Sequence, residues 1–228
     1  MRIESLINTT QVEIDGLQWN PYLGISINNK IFTTEYIFEY MNWAAEKARD
    51  RAAVLVVDII QRINNEVFNR CKPMAAIEKT FRRADEILQM CNDAYRALDG
   101  EKKEKIVILE WPDIMYDEMF QFNSKILNAA FKENQKFKET LIAITRRSLG
   151  EITNRLDEQQ IETLSHYVLY ELPEIFAGFN HNGTHYNLNV YPGKISAIYT
   201  DLFEQECFKP IYSRLQLAGK IAIIEAYK

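Results

Sequence analysis

The chain of 228 residues predicts an α/β fold in which helices flank a mostly parallel central sheet. Two runs rich in apolar and β-branched residues, at 52–57 and 105–110, are typical of strands buried on both faces. A third apolar run ends near residue 25 and also predicts a short buried strand. Segments with helical periodicity separate these runs, and strands that alternate with helices favour parallel pairing.

The remaining elements follow in chain order. Thr33 or Thr34 is positioned to cap a helix that continues to about Ala48. Pro73 begins a long helix that ends near Leu98, before an Asp-Gly pair. Periodicity and turn residues predict helices at 113–133, 137–149, 157–176 and 196–205, a turn at 182–183, and strands at 186–191 and 221–224.

Composition indicates the general class of protein. With 47% hydrophobic residues the chain can bury a full core, and we expect a single domain over residues 1–228. No apolar run approaches the roughly 18 residues of a membrane span, and the first residues lack a signal-peptide core, so we expect a cytoplasmic protein. The cysteines are odd in number and form no CxxC pair, which predicts reduced thiols and no metal site: Cys71, Cys91 and Cys207.

Charge leaves two readings open. The net charge of −5 argues against a general nucleic-acid coat, yet segments 62–83 and 125–147 each carry more cations than acids. Such segments either bind phosphates or are ordinary solvated helix faces. Lys79, Arg82 and Arg83 are the best candidates for contacting a nucleic-acid backbone, and the rival candidates are Arg146 and Arg147.

Two motifs far apart in the chain carry the candidate chemistry. The first, GISINN at 24–29, places Ser26 where an apolar strand ends, a position suited to a nucleophile. The second, YVLYELP at 167–173, lies in a helical stretch. Its Tyr167 and Glu171 are four residues apart and therefore share one helix face, where their oxygens can bind a small cation such as an amine.

Missing motifs narrow the chemistry further. The chain has no GxGxxG and no GxxxxGK[ST], so neither dinucleotide binding nor P-loop chemistry is indicated. His181 and His185 lie across a turn without nearby cysteine or carboxylate and are better explained as loop residues than as metal ligands. A serine hydrolase would need glycine at position 28, where this chain has asparagine.

These motifs together resemble the cyclodipeptide synthases. The resemblance rests on Gly24-x-Ser26-x-x-Asn29, then the 167–173 motif, then Tyr191-Pro192, in that order along most of the chain. It implies a Rossmann-like fold similar to the catalytic domain of class I tyrosyl- and tryptophanyl-tRNA synthetases. It also implies two aminoacyl-tRNAs as substrates, a 2,5-diketopiperazine as product, and no metal or other cofactor.

The resemblance assigns roles to single residues. Ser26 would form an aminoacyl-enzyme, while Tyr167 and Glu171 would hold the α-ammonium group of the substrate. Tyr191 would act as a proton relay or oxyanion donor during transfer and ring closure.

Four further residues are expected to contact substrate: Gly24, Asn29, Asn189 and Pro192. Gly24 is either an opening for the substrate or a tight-packing glycine, and Asn29 either anchors the loop after the nucleophile or touches substrate. Pro192 resembles one branch of the family, whereas Asn29 marks the other. Because Asn187 and Asn189 share one face of their strand, we expect at least one small or polar amino acid among the substrates.

We therefore expect a monomeric, tRNA-dependent cyclodipeptide synthase that works by a ping-pong route through aminoacyl-Ser26. A catalytically silent RNA-binding relative with a synthetase-like fold is the alternative. A serine esterase that needs no tRNA is a third possibility.

Overall fold

A computed structural model describes residues 1–193 and 196–227. The strands are β1 (Arg2–Ile7), β2 (Pro21–Ser26), β3 (Ala52–Val57), β4 (Ile106–Glu110), β5 (Phe179–His181), β6 (Thr184–Tyr186), β7 (Leu188–Tyr191) and β8 (Ala222–Tyr227). The helices are α1 (Gln11–Asp15), α2 (Thr34–Lys47), α3 (Arg62–Phe68), α4 (Pro73–Arg96), α5 (Gly100–Lys105), α6 (Trp111–Met115), α7 (Glu118–Glu133), α8 (Gln135–Leu149), α9 (Glu158–Ala177), α10 (Ser196–Phe203) and α11 (Lys209–Tyr212). Short 3₁₀ turns cover Ile59–Gln61 and Gly150–Arg155.

The predicted α/β architecture is confirmed. A six-stranded sheet has the order β1-β8-β7-β2-β3-β4, and β5 and β6 form a separate antiparallel pair. Within the large sheet, β7, β2, β3 and β4 pair in parallel, β8 runs parallel to β7, and β1 is antiparallel to β8. This order puts β2 in the interior of the sheet, so any group at its carboxyl end lies in the crevice where such sheets bind ligands.

Helices cover both faces of the sheet. Apolar side chains of α2 and α4 pack on one face, against Leu23 and Ile25 of β2 and Val54 of β3. The other face, which carries Tyr22 and Leu55, packs against the segment around α6 and the β5–β6 pair. Beside these layers, α7, α8, α9 and α11 share a second apolar core. No helix in the described part of the chain is long and apolar enough to cross a membrane.

The structure differs from the predicted elements in three respects. The expected helix at 113–133 is two helices, because the Asp117 side chain accepts a hydrogen bond from the Phe120 amide and caps α7. The expected strand at 186–191 is divided between β6, which ends at Tyr186, and β7. The elements that were not predicted are β1, α1, α3, α5, β5 and α11.

Candidate active site

The candidate site lies where α9 crosses the carboxyl ends of β2 and β7. Alternation along β2 turns Gly24 and Ser26 to the face that carries Tyr22, whereas Leu23 and Ile25 point into the opposite core. A small cavity of about 30 Å³ opens between this face and α9. Its polar lining comes from Ser26, Glu171, Glu174, Asn189 and Tyr191, and Gly24 contributes backbone. The structure therefore places Ser26, Glu171 and Tyr191 around one cavity. Tyr167, the fourth residue expected to carry the chemistry, does not line the cavity but interacts with these residues through its hydroxyl.

Ser26 is the last residue of β2 and pairs with Val57 of the neighbouring strand. Its carbonyl oxygen accepts a hydrogen bond from the Asn29 amide at 2.9 Å, which closes a turn directly after the strand. The Ser26 side chain is partly exposed and is hydrogen-bonded to Tyr167. The hydroxyl is thus held by a neighbour and remains open to the cavity.

Tyr167 and Glu171 lie one turn apart on α9, as predicted, and are hydrogen-bonded to each other. Pro173 lacks an amide hydrogen, yet α9 continues to Ala177. Burial raises the Tyr167 pKa well above its usual value, so this hydroxyl is neutral at physiological pH. Ser26, Tyr167 and Glu171 form a continuous hydrogen-bonded row.

The surroundings of the Glu171 carboxyl favour its protonated form near neutral pH. Burial raises its pKa to about 8, the negative charge of Glu174 contributes in the same direction, and the hydrogen bond from Tyr167 opposes both. An α-amine has an ordinary pKa of about 7.7–8.0, close to that of this carboxyl. A bound amine and Glu171 can therefore share one proton, either as an ion pair or as a neutral pair.

Tyr191 ends β7, and with Ser26 it confirms that both predicted residues lie at strand ends. Burial raises its pKa, nearby Glu171 raises it further, and a hydrogen bond with Asn29 lowers it. Its ring makes an edge contact with Phe32, with the ring centroids 6.2 Å apart. The neutral hydroxyl is placed between the turn after Ser26 and the Glu171 carboxyl.

The two readings of Gly24 and of Asn29 are now distinguishable. A Cβ atom added at Gly24 would meet no atom within 4 Å, so tight packing does not explain this glycine. The Asn29 Oδ1 atom accepts a hydrogen bond from the Ile31 amide at 3.1 Å, so Asn29 anchors its loop in addition to contacting Tyr191. Pro192 is buried directly after β7.

The sequence analysis missed Glu174, which is only 5% exposed. Asn189 donates a hydrogen bond from Nδ2 to its Oε1 at 2.9 Å, and the Tyr22 hydroxyl donates to its backbone carbonyl at 3.2 Å. Burial raises the Glu174 pKa to about 7, against a weaker opposing effect of Tyr22. Helical spacing could have indicated Glu174, because positions 167, 171 and 174 share one helix face.

Asn187 does not have the role expected from its spacing to Asn189. It precedes β7 at the opposite end of the strand from the cavity, and its Oδ1 accepts from the Asn20 amide at 3.2 Å. Its Nδ2 donates to the Lys220 carbonyl at 3.3 Å. Asn187 therefore joins backbone segments, and only Asn189 lines the cavity.

A cavity of about 130 Å³ adjoins the turn after Ser26, and its lining has three cations and one acid, so we call it the basic cavity: Asn28, Asn65, Lys79, Arg82, Arg83 and Glu86. Lys79 and Arg82 are exposed on α4. Arg83 differs from them, because its Nε donates to the Ile27 carbonyl at 2.9 Å and its guanidinium pairs with Glu86. Lys79 and Arg82 thus have no ion-pair partner among the described residues, while Arg83 is bonded to the turn after Ser26.

In the rival basic segment, 125–147, both candidate arginines form ion pairs. Arg146 pairs with Glu158, and Arg147 pairs with Asp201. Lys138 lies 2.7 Å from Glu162 in the same region. Both rival candidate arginines and Lys138 therefore already have acidic partners, which favours the ordinary reading of a solvated helix face for them.

The histidines and cysteines lie outside the cavity. His185 Nδ1 is 3.0 Å from Asn180 Oδ1, and His181 Nε2 is 2.8 Å from Asn182 Nδ2. Within residues 1–193 and 196–227, no three histidines, cysteines or acids are grouped to hold a metal ion. The thiols are free: Cys71, Cys91 and Cys207.

Comparison with known proteins supplies the family. A cyclodipeptide synthase from Bacillus thermoamylovorans has a similar structure (TM-score 0.75, 16% identity, 98% of this chain and 96% of that one). So does a Mycobacterium tuberculosis protein whose structure demonstrates that cyclodipeptide synthetases are related to type I tRNA synthetases (TM-score 0.74, 14% identity, 98% and 94%). A cyclodipeptide synthase from Candidatus Glomeribacter gigasporarum, bound to Phe-tRNAPhe, matches at TM-score 0.60 and 13% identity, over 96% and 93%.

At these identities the structures establish the shared fold, and no curated protein is similar enough in sequence to match. The sequence model of the cyclodipeptide synthase family, in contrast, matches residues 21–210, which include every residue of the cavity. The chain belongs to the cyclodipeptide synthase family.

Proposed function

We propose that this enzyme joins two aminoacyl groups, both delivered on tRNA, into a 2,5-diketopiperazine through an aminoacyl-Ser26 intermediate. The hydrogen-bonded row of Ser26, Tyr167 and Glu171 supports this proposal most strongly. It puts a nucleophile and an amine-binding carboxyl at one cavity, which is the pair of functions that an aminoacyl ester requires. Covalent capture divides the reaction into two transfers and holds the first residue in place for the second.

The first transfer exchanges one ester for another. Ser26 Oγ attacks the carbonyl carbon of the aminoacyl ester, the bond to the tRNA hydroxyl oxygen breaks, and that oxygen takes up a proton in place of the one lost by Ser26. Tyr167 and Glu171 hold the α-ammonium, which fixes the orientation of the carbonyl toward Ser26. While the amine is protonated in this clasp it cannot attack another ester.

The second transfer forms two amide bonds. An amine of one residue attacks the ester carbon of the other, and the free amine of the resulting dipeptide then attacks the remaining ester carbon and closes the ring. The leaving groups are the second tRNA hydroxyl and Ser26, which regains its proton. Tyr191 lies beside Glu171 and is suited to relay the protons that the amines lose.

The tRNA is proposed to dock on α4. Lys79 and Arg82 line the basic cavity beside the turn that follows Ser26, so a phosphate bound there lies close to the nucleophile. A relative from Candidatus Glomeribacter gigasporarum was captured with Phe-tRNAPhe, which supports aminoacyl-tRNA as the substrate class. The monomeric state stays a prediction.

Direct detection of the aminoacyl-enzyme tests the proposal. The purified protein is incubated with tRNA charged with radiolabelled amino acids and then denatured, and covalently bound label is counted. Wild type and the control Ser213→Ala, which alters an exposed hydroxyl, should retain label, whereas Ser26→Ala should retain none. Absence of label from wild type with every amino acid would refute the covalent route.

The same preparation separates the alternatives. Binding of tRNA without label or diketopiperazine would identify the silent RNA-binding relative. Hydrolysis of simple acyl esters in the absence of tRNA, lost in Ser26→Ala, would identify a serine esterase.

A further inference from the structure

The cavity next to Ser26 has a polar wall that the transfer chemistry does not use. Glu174 from α9 and Asn189 from β7 form this wall, and they are 5% and 1% exposed. They are joined by the hydrogen bond from Asn189 Nδ2 to Glu174 Oε1 at 2.9 Å. The other lining side chains near them, Val57 and Ile175, are apolar. A buried carboxyl and a buried amide thus face a space that Gly24 leaves open.

A purely structural role would explain the hydrogen bond that joins Asn189 of β7 to Glu174 of α9. It would not explain the second polar atom of the Asn189 side chain. The Asn189 Oδ1 atom is buried and has no hydrogen-bond partner among the described residues. Buried polar atoms in native proteins nearly always have partners, because an unpaired one destabilises the folded state. If the Asn189 side chain were turned so that its oxygen and nitrogen exchanged places, its Nδ2 atom would be left without a partner instead. The wall therefore presents one buried acceptor, Asn189 Oδ1, that no described protein group pairs with.

The position of the wall limits what can complete it. The clasp of Tyr167 and Glu171 holds the α-amine, and Ser26 holds the carbonyl, so the side chain of the first residue must extend away from both. Glu174 follows Glu171 by three positions on α9, and Asn189 precedes Tyr191 by two on β7, so both line the same cavity. Gly24 and Ser26 line this cavity too, and a Cβ atom added at Gly24 would meet no atom within 4 Å.

Building on the proposed function, we propose that Glu174 and Asn189 select the first amino acid, and that they accept one with a short side chain carrying a hydrogen-bond donor. A hydroxyl would donate its one hydrogen to the Asn189 oxygen, and a side-chain amide, which has two N–H donors, could donate to the Asn189 oxygen and the Glu174 carboxyl together. A leucine or phenylalanine side chain would leave the Asn189 Oδ1 atom buried and unpaired. The cavity of about 30 Å³ also favours short side chains over long ones.

Isosteric pairs of amino acids test the selectivity. Initial rates of Ser26 acylation are compared for tRNA charged with threonine against valine, serine against alanine, and asparagine against leucine. We expect the best donor-bearing amino acid to exceed its apolar counterpart by on the order of 10²-fold or more in kcat/KM, since sites that hydrogen-bond a substrate group reject analogues lacking it. Preferential acylation by leucine, valine or phenylalanine would overturn the inference and leave the covalent route standing. Failure of acylation with all amino acids would instead refute the proposed function, and the inference with it.

Substitutions at position 174 assign the selectivity to the wall. Glu174→Gln keeps a hydrogen-bonding group and should keep the preference, whereas Glu174→Leu should reduce the ratio of donor-bearing to apolar substrate at least about tenfold. The matched control, Glu158→Leu, alters an exposed position at the start of the same helix and should leave the ratio unchanged. An unchanged ratio in folded Glu174→Leu would overturn the role of Glu174. If this variant does not fold, the wild-type isosteric comparison still decides the proposal.

Discussion

The buried Glu174 carboxyl should make the stability of the protein depend on pH in a defined direction. Burial raises its pKa from an ordinary value of 4.5 to about 7, so the folded state holds this proton more tightly than the unfolded chain does. The contribution therefore favours folding at low pH and becomes unfavourable as pH rises from about 4.5 to about 7. Glu174→Gln removes the titration while conserving shape and a carbonyl oxygen for Asn189.

The size of this effect on the free energy of unfolding follows from the pKa of Glu174 in the unfolded chain and in the folded protein. With about 1.4 kcal/mol per pKa unit, the cost of Glu174 is about 1 kcal/mol at pH 5 and about 3 kcal/mol at pH 7. The free energy of unfolding of Glu174→Gln, relative to wild type, should therefore increase by about 2 kcal/mol between these pH values. Little further increase is expected from Glu174 itself above pH 8. Loss of its charge also removes one cause of the raised Glu171 pKa, which acts in the same direction.

Equilibrium urea unfolding, followed by circular dichroism and tryptophan fluorescence, measures this difference at pH 5, 6, 7 and 8. Glu104→Gln is the control, since it changes an exposed glutamate on α5. Its difference from wild type should stay nearly constant over the same range. A constant or decreasing difference for Glu174→Gln would refute the reasoning that this carboxyl is buried at a raised pKa.

Three further predictions concern catalysis. Gly24→Ala should leave the thermal midpoint nearly unchanged, because the new Cβ meets no atom, but should slow Ser26 acylation at least about tenfold by filling the cavity. Single-turnover acylation should peak near pH 8, where Glu171 and the amine share one proton, and Glu171→Gln should remove one limb of that profile. Arg82→Glu should weaken tRNA binding and flatten its salt dependence, whereas Arg83→Ala should lower the acylation rate with the salt dependence preserved.

The sequence was sufficient for the elements whose signals are local. The segment at 52–57 is apolar at every position and lies buried in the sheet as β3. The Tyr167 and Glu171 pair needs only helical spacing, and α9 carries it as predicted. Ser26 was placed at a strand end because an apolar run stops there. These features depend on few residues that are close in sequence.

Features that depend on distant partners were not predictable in this way. Strand β1 is stabilised by antiparallel pairing with β8, the last strand of the chain, and its own residues alternate only weakly in burial. Glu174 shares a helix face with Glu171, but its importance depends on Asn189 lying opposite, and the order of strands in the sheet sets that position. The sequence analysis also grouped Arg83 with Lys79 and Arg82. The hydrogen bond that distinguishes Arg83 is made to the Ile27 carbonyl, which is distant in sequence.

The bond from Arg83 to the Ile27 carbonyl has a consequence for engineering. It joins α4 to the residue immediately after Ser26, so a displacement of α4 should also disturb the turn that follows β2. If tRNA docks on α4 as proposed, we expect that replacing α4 with the corresponding helix of a relative would change the backbone next to Ser26 as well as the tRNA contacts. A helix graft must therefore retain arginine at this position, together with the helix rotation that lets its guanidinium reach the loop.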